Sequence, residues 1–507
     1  MLKPISSLFT SALLLATITV SAQTPGEQRA AAALTLASKN PLELRAFLTT
    51  MPKGGELHFH LGGAVYAETV LKDAAEDNLC VDLKAHSLAP NSGMTKSLPA
   101  HAVCPDGLIP ATTVDLDNKM RDDMIDFWSM RNFVAYNGHS GHDQFFSSGK
   151  RVGTRGAHQV EWLDEVASRA ASQNVQYLEI MGGPQTPTSA IAAAESLQWN
   201  PDMAAMRAAL LPAVQKDVAD SHIALDEMMA ARNQLEHCAT PQATPACNVT
   251  VRFLSTVARE SLPSRAFAMM LFDFEMANSD PRTVGVNIAQ PEDGVLSMRE
   301  YHRQMLMFDY LHGIYPKVHL SLHAGELSFG MVPPDGLKFH IREAVEIAHA
   351  ERIGHGVDIM YEDDPHALLK EMAAKHIMVE INITSNDGIL GVTGKQHPLP
   401  IYLANHVPIA FSTDDEGVSR IDLTHEYGRA VTDFGLGYMD LKRSARTSIE
   451  HSFLAGPDLW AKQDSFTQMV SACTVTTSAT CTAFLKTSDK AQQQMELEKR
   501  FKAFEAH

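Results

Sequence analysis

Val318-His319-Leu320-Ser321-Leu322-His323-Ala324-Gly325-Glu326 is an apolar run that ends in a histidine, two small residues and a carboxylic acid. A buried parallel strand has this form: it is apolar on both faces, and its C-terminal end delivers functional side chains into a pocket. Here those side chains are a candidate metal ligand and a candidate proton donor. Three other stretches arrive at His or Asp in the same way. They are Glu56-Leu57-His58-Phe59-His60, Arg352-Ile353-Gly354-His355-Gly356 and Ala410-Phe411-Ser412-Thr413-Asp414-Asp415.

Around these stretches, short apolar runs alternate with longer helical ones. The predicted strands are 54–60, 175–180, 249–254, 284–288, 318–323, 352–356, 377–383 and 408–412, eight in all. Alternating β and α units imply a parallel sheet, and eight of them imply an α/β fold closed into a (β/α)8 TIM-type barrel with its active site at the C-terminal strand ends. An open doubly wound sheet is the alternative, but no Gly-x-Gly-x-x-Gly follows a strand. Ala and Leu at helical spacing predict a helix from residue 27 to 50, running into Pro52. Residues 79–120 turn to Asn, Ser, Pro, Thr and Gly and read as an irregular insertion or lid. A helical pattern rich in aromatics resumes at 124–133, and helices follow residue 420. The expected organisation is a signal peptide at 1–22, an N-terminal helical extension at 23–50, the barrel at 51–455 and a C-terminal helical segment at 456–507.

The 507 residues are 45% hydrophobic and 20% charged, enough to bury one large core. A net charge of −18 argues against nucleic acid or an anionic membrane surface as a partner, since both call for a basic face. Lys3, the apolar stretch around Leu13-Leu14-Leu15-Ala16 and Val20-Ser21-Ala22 before Gln23 form a signal-peptide pattern, so export to the periplasm or the extracellular space is expected. No later run reaches the roughly 20 apolar residues that span a bilayer. Six cysteines in an exported chain favour disulfides, and their order favours sequence neighbours: Cys80 with Cys104, Cys238 with Cys247 and Cys473 with Cys481. Other connectivities are open to six cysteines. No Cys-x-x-Cys pair supports a thiolate metal site.

His58 and His60 stand two apart, so on a strand they face the same side and can grip one cation. With 23 histidines in 507 residues such a spacing is expected about once by chance, so it carries little alone. Convergence carries more. His323 ends the fifth predicted strand and Asp414 the eighth, completing three imidazoles and one carboxylate, a set that suits a single zinc ion. Nearby, Glu326 is placed to pass a proton to a substrate heteroatom, His355 to face the attacking water, and Asp415 to hold that water or a substrate N–H.

Together with Met51-Pro52-Lys53-Gly54-Gly55, these motifs resemble the adenosine deaminase family over roughly residues 50 to 455. The Met-Pro-Lys-Gly start and the signal peptide are similar to its secreted branch, the adenosine deaminase-related growth factors. The resemblance implies a zinc-dependent aminohydrolase on a (β/α)8 barrel that converts adenosine or 2′-deoxyadenosine and water to the inosine product and ammonia. By motif, His58, His60, His323 and Asp414 would bind Zn2+, one per chain. Glu326 would protonate the ring nitrogen beside the attacked carbon, His355 would orient the water and help deprotonate it, and Asp415 would contact water and purine. The chain departs from the family at two candidate substrate contacts. Gly62 replaces an acidic residue that many members carry, and Gln290 replaces a glycine whose backbone meets the purine.

Other readings compete. A binuclear amidohydrolase on the same barrel would need a lysine at the fourth strand's end, and residues 284–292 contain none. A related aminohydrolase for another 6-aminopurine fits the same residues. A secreted binding or signalling protein on this fold would not require the complete set of ligands and proton-transfer groups. The oligomeric state is not legible in the sequence.

Overall fold

The computed structural model describes residues 23–89, 104–149, 155–183 and 186–506; the expected signal peptide lies outside them. Eight strands run parallel in one sheet: β1 (Gly54–His60), β5 (Val175–Met181), β6 (Thr250–Ala258), β7 (Thr283–Ala289), β8 (His319–Ala324), β9 (Arg352–His355), β10 (Met378–Ile381) and β11 (Ile409–Phe411). Just beyond β11 the backbone of Asp414 closes onto β1, with Asp414 N–H donating to the His58 carbonyl at 3.1 Å and His60 N–H to the Asp414 carbonyl at 3.0 Å. The sheet is thus a (β/α)8 barrel, as expected from the strand count. The predicted strands are found within a few residues of their expected ends. β5, β9, β10 and β11 are buried along their whole length, the condition for a strand with barrel interior on one face and helices on the other.

The single helix expected over 27–50 is two, Pro25–Ala37 and Pro41–Thr50. The break has a local cause. Asn40 is extended and its side chain accepts from the Leu42 and Glu43 N–H groups, while Pro41 suits a first helical position and cannot continue the preceding helix. The 79–120 segment is more ordered than its composition suggests. It carries a small antiparallel sheet, β2 (Cys80–Asp82), β3 (Ser87–Ala89) and β4 (Ile109–Pro110), followed by the helix Ala111–Leu116. The disulfide Cys80–Cys104 staples this sheet, which supplies the order that Asn, Ser and Pro do not. The helical pattern at 124–133 ends early, in the helix Asn118–Phe127. The other two expected disulfides, Cys238–Cys247 and Cys473–Cys481, are also formed.

The two terminal segments meet under the barrel. Lys442 is buried and its Nζ donates to Glu27 Oε1 at 2.9 Å and Glu505 Oε1 at 2.5 Å. The last helix, Asp489–Phe504, lies against β1 and β5. Lys53, from the Met-Pro-Lys-Gly run, is also fully buried. Its Nζ donates to the carbonyls of Leu48, Met51 and Gln173, so it caps the helix end before β1 and ties it to β5's approach. Among the described residues no helix is long and apolar enough to cross a membrane.

Candidate active site

At the C-terminal strand ends lies a cavity of about 690 Å³, bounded in part by His60, His323, Glu326, Asp414 and Asp415. Phe145 and Phe146 also line it, and no described residue of 79–120 does, so the lid expected there is replaced by a wall from the helix Gly141–Ser147.

β1 places His58 and His60 on one face, β8 ends at His323, and Asp414 follows β11. Their donor atoms converge: His60 Nε2 is 3.3 Å from His323 Nε2, and Asp414 Oδ1 is 3.5 Å from His58 Nε2 and 3.4 Å from His60 Nε2. Donors arranged tetrahedrally at the roughly 2.0–2.1 Å of a zinc–nitrogen bond stand about 3.3 Å apart, so the spacing fits one ion without rearrangement. The orientation fits too. His58 Nδ1 is bonded to Glu380 Oε2 at 2.6 Å and His323 Nδ1 to Asn287 Oδ1 at 2.9 Å, which leaves both Nε2 lone pairs facing the centre. His58 Nε2 is buried and has no hydrogen-bond partner among the described residues, an orphaned acceptor that a cation would satisfy. Ser385 Oγ donates to Asp414 Oδ2 at 2.7 Å and holds Oδ1 inward.

The electrostatics point the same way. Burial disfavours charge on His58, yet Asp414 and Glu380 outweigh it and push the imidazole up to about 10. The centre therefore calls for positive charge. Burial, followed by the neighbouring histidines, holds His323 well below its ordinary value, so this ring is neutral and ligand-competent.

Glu380 was not singled out by its sequence, although a lone acid inside the apolar Met378-Val379-Glu380-Ile381 is a usable signal. Its Oε1 also accepts from Ser321 Oγ at 2.7 Å and pairs with Arg352 Nε at 2.8 Å, and Arg352 Nη1 reaches Glu179 Oε2 at 2.7 Å. All three charges are fully buried. Burial would raise the Glu380 carboxyl, but Arg352, His58 and Ser321 together offset its desolvation and hold it below its ordinary value. Glu380→Gln is expected to weaken metal binding by about 10–100-fold, read by competition with a chelator, because a neutral amide replaces the carboxylate that orients and polarises His58.

Glu326 follows the β8 end. Its own N–H and that of Gly325 donate to Glu292 at 2.7 and 3.1 Å, fixing the turn that carries its side chain. Burial would raise Glu292, but Arg259 and His340 outweigh it and hold this carboxylate at about 2. Glu326 is pushed well above its ordinary value by burial first and then by the anions Asp414 and Glu292. It is an acid poised to give a proton.

His355 ends β9 with φ +69° and its Nε2 lies 3.7 Å from Glu326 Oε1. Burial and the neighbouring His58 push its ring down to about 3, so it is neutral. Leu399 N–H donates to His397 Nδ1 at 3.1 Å, which leaves His397 Nε2–H to donate to Asn386 Oδ1 at 3.0 Å; the Asn386 amide then donates to His355 Nδ1 at 3.0 Å. This chain of contacts assigns the His355 proton to Nε2, on the cavity side. Neither Asn386 nor His397 stood out in the sequence.

Asp415 lies beside Gly63, where an added Cβ would sit 1.2 Å from its Oδ1. Gly63→Ala must therefore displace the Asp415 carboxylate, and a loss in kcat of about 10²-fold with unchanged metal content is expected. Near-normal turnover would show that Asp415 is not held in a required position. Gly62 lines the cavity beside it. Gln290 lines it too, with φ +94°, in the left-handed region that favours glycine, and its Oε1 accepts from Glu260 N–H at 3.0 Å. His60, Gly62, Gln290, His323, Glu326, Asp414 and Asp415 thus line one cavity, with His58 and His355 fully buried against Asp414 and Glu326.

The profile of the family described as adenosine deaminase matches residues 152–461. An adenosine deaminase of Clostridium perfringens is 33% identical over 135 residues, 26% of this chain and 37% of that protein. One from Mycobacterium sp. (strain KMS) is 30% identical over 215 residues, 41% of this chain and 54% of that protein. The chain thus spans between about a third and a half of the curated relatives it matches. The crystal structure of adenine deaminase from Arthrobacter aurescens has a TM-score of 0.51 at 16% identity, over 80% of this chain and 94% of that one. That of Arabidopsis N6-mAMP deaminase has a TM-score of 0.50 at 19% identity, over 80% and 95%. Both share the barrel. His58 and His60 lie outside the 152–461 match, and the closed barrel brings them to the residues inside it.

Proposed function

From the premise that this chain belongs to the adenosine deaminase family, we propose that it removes the 6-amino group of adenosine or 2′-deoxyadenosine by hydrolysis, giving the inosine product and ammonia. One observation carries the reading: three imidazole Nε2 atoms and one carboxylate oxygen converge beside a buried carboxylic acid, Glu326, at one end of a barrel cavity. His58, His60, His323 and Asp414 would hold Zn2+, which when bound supplies a Lewis acid that makes water nucleophilic near neutral pH.

The chain's own residues do the rest. Glu326 donates a proton to the ring nitrogen beside the amine-bearing carbon, which makes that carbon electrophilic. His355 donates from Nε2 to the attacking water and so fixes its direction of approach; its help in removing the water's proton requires that Asn386 release Nδ1. Asp415 accepts from the water or from a purine N–H. The backbone N–H of Gln290 and the space at Gly62 face the purine and the sugar. The signal-peptide pattern and three disulfides support export to the periplasm or outside the cell, with a mature chain starting at Gln23, and a place in the secreted growth-factor-like branch.

A panel of 6-aminopurines assayed for ammonia release tests the substrate. Adenosine and 2′-deoxyadenosine are expected to give the highest kcat/KM. A second reading, an aminohydrolase for another 6-aminopurine, is favoured by Gly62 and Gln290, and preference for a free base or a nucleotide in the panel would replace the first reading with it.

A further inference from the structure

A second cavity, of about 570 Å³, opens at the opposite end of the barrel, where β8, β9 and β10 begin; His319, Arg352, His376, Glu450, His451 and Lys490 line it. Beside it is a group of metal-ligand type that the proposed deamination does not use. His451 Nε2 is 2.9 Å from Asp464 Oδ1, and His376 Nδ1 is 2.6 Å from Asp464 Oδ2. Glu450 Oε2 accepts from Asp464 N–H at 3.0 Å. Its other oxygen, Oε1, is buried and has no hydrogen-bond partner among the described residues, in a side chain 2% exposed.

The nearby cations are engaged elsewhere. Lys490 Nζ donates to the Glu450 backbone carbonyl at 2.9 Å and Arg443 to that of Asp464 at 3.0 Å, so both serve carbonyls rather than the carboxylates. Glu450 and Asp464 thus face each other, both imidazoles engage Asp464 alone, and one Glu450 oxygen is left unsatisfied, an arrangement that costs free energy unless a cation joins it.

We propose that Glu450, His451 and Asp464 form a second divalent-cation site of the zinc type, with His376 holding Asp464 from the outside. One donor atom from each of the three lies within 4.8 Å of the others, so small side-chain rotations bring all of them to the roughly 2.0–2.2 Å of a zinc bond. The imidazole selects against calcium and magnesium, which take oxygen. His451 closes the helix Tyr438–Glu450, Asp464 lies in the irregular stretch after it, and His376 precedes β10. An ion here would fasten the C-terminal segment to the barrel floor, a structural role remote from the catalytic cavity.

The test counts metal on the full chain, stripped by a chelator and then dialysed against Zn2+ alone. Two equivalents per chain are expected in the wild type, and one in Asp464→Asn, which should keep the wild-type kcat. The catalytic-ligand variant His323→Ala should still hold one equivalent. An Asp464→Asn chain that binds as much Zn2+ as the wild type overturns the site. So does a folded His323→Ala chain that binds none, and that measurement stands if Asp464→Asn fails to fold.

Discussion

Glu326→Gln is expected to keep its metal and its fold and to lose deamination by at least about 10²–10⁴-fold, the usual contribution of a general acid. The loss should lie at the upper end of that range or beyond, because the proton also creates the electrophile. The amide preserves the shape of the side chain, and the backbone bonds from Gly325 and Glu326 to Glu292 do not involve it. The pH dependence gives a second reading. Activity requires the protonated acid, so wild-type kcat/KM should be level below the raised pKa of Glu326 and fall as pH rises through it; the residual activity of the Gln variant should lack that limb. The sign for stability is fixed by the same shift. A carboxyl raised in the fold binds more protons there than in the unfolded chain, so it costs stability as pH rises from its ordinary value to its folded one. Glu326→Gln removes that cost and should melt no lower than the wild type at neutral pH. A Gln variant with nearly normal turnover and full zinc would overturn the acid role.

His323→Ala should lose the catalytic zinc equivalent together with activity, by at least about 10⁴-fold, since several kcal/mol of transition-state stabilisation leave with the ion. His323 is the bridge in the donor set: its Nε2 stands 3.3 Å from that of His60, and its Nδ1 is held by Asn287. Its removal leaves Asn287 Oδ1 buried without that donor, which adds about 1–3 kcal/mol of destabilisation. Zinc content and activity should fall together across this variant and Glu380→Gln. An Ala variant that kept both would show that His323 is not a ligand.

The eight apolar runs were legible because strands buried on both faces need continuous apolar sequence, and the ligands were legible because they interrupt those runs at one end. Local rules explain the differences: Asn40-Pro41 divides the first helix, and Cys80–Cys104 orders a segment whose composition reads as irregular. Glu380, Asn287, Glu292 and Asn386 did not stand out, since each takes its role from a partner between 31 and 322 residues away.

By itself the sequence determined the residue types and their strand-end positions, because periodicity of burial is written in neighbouring residues. Only the tertiary structure decided which atoms meet. Closure of Asp414 onto β1 brings residues more than 350 positions apart to one centre, and contacts across the barrel set tautomers and charge states that no local pattern encodes. The floor cluster of Glu450, His451, Asp464 and His376 is the same case: its side chains become a site only where the barrel floor and the C-terminal segment pack together.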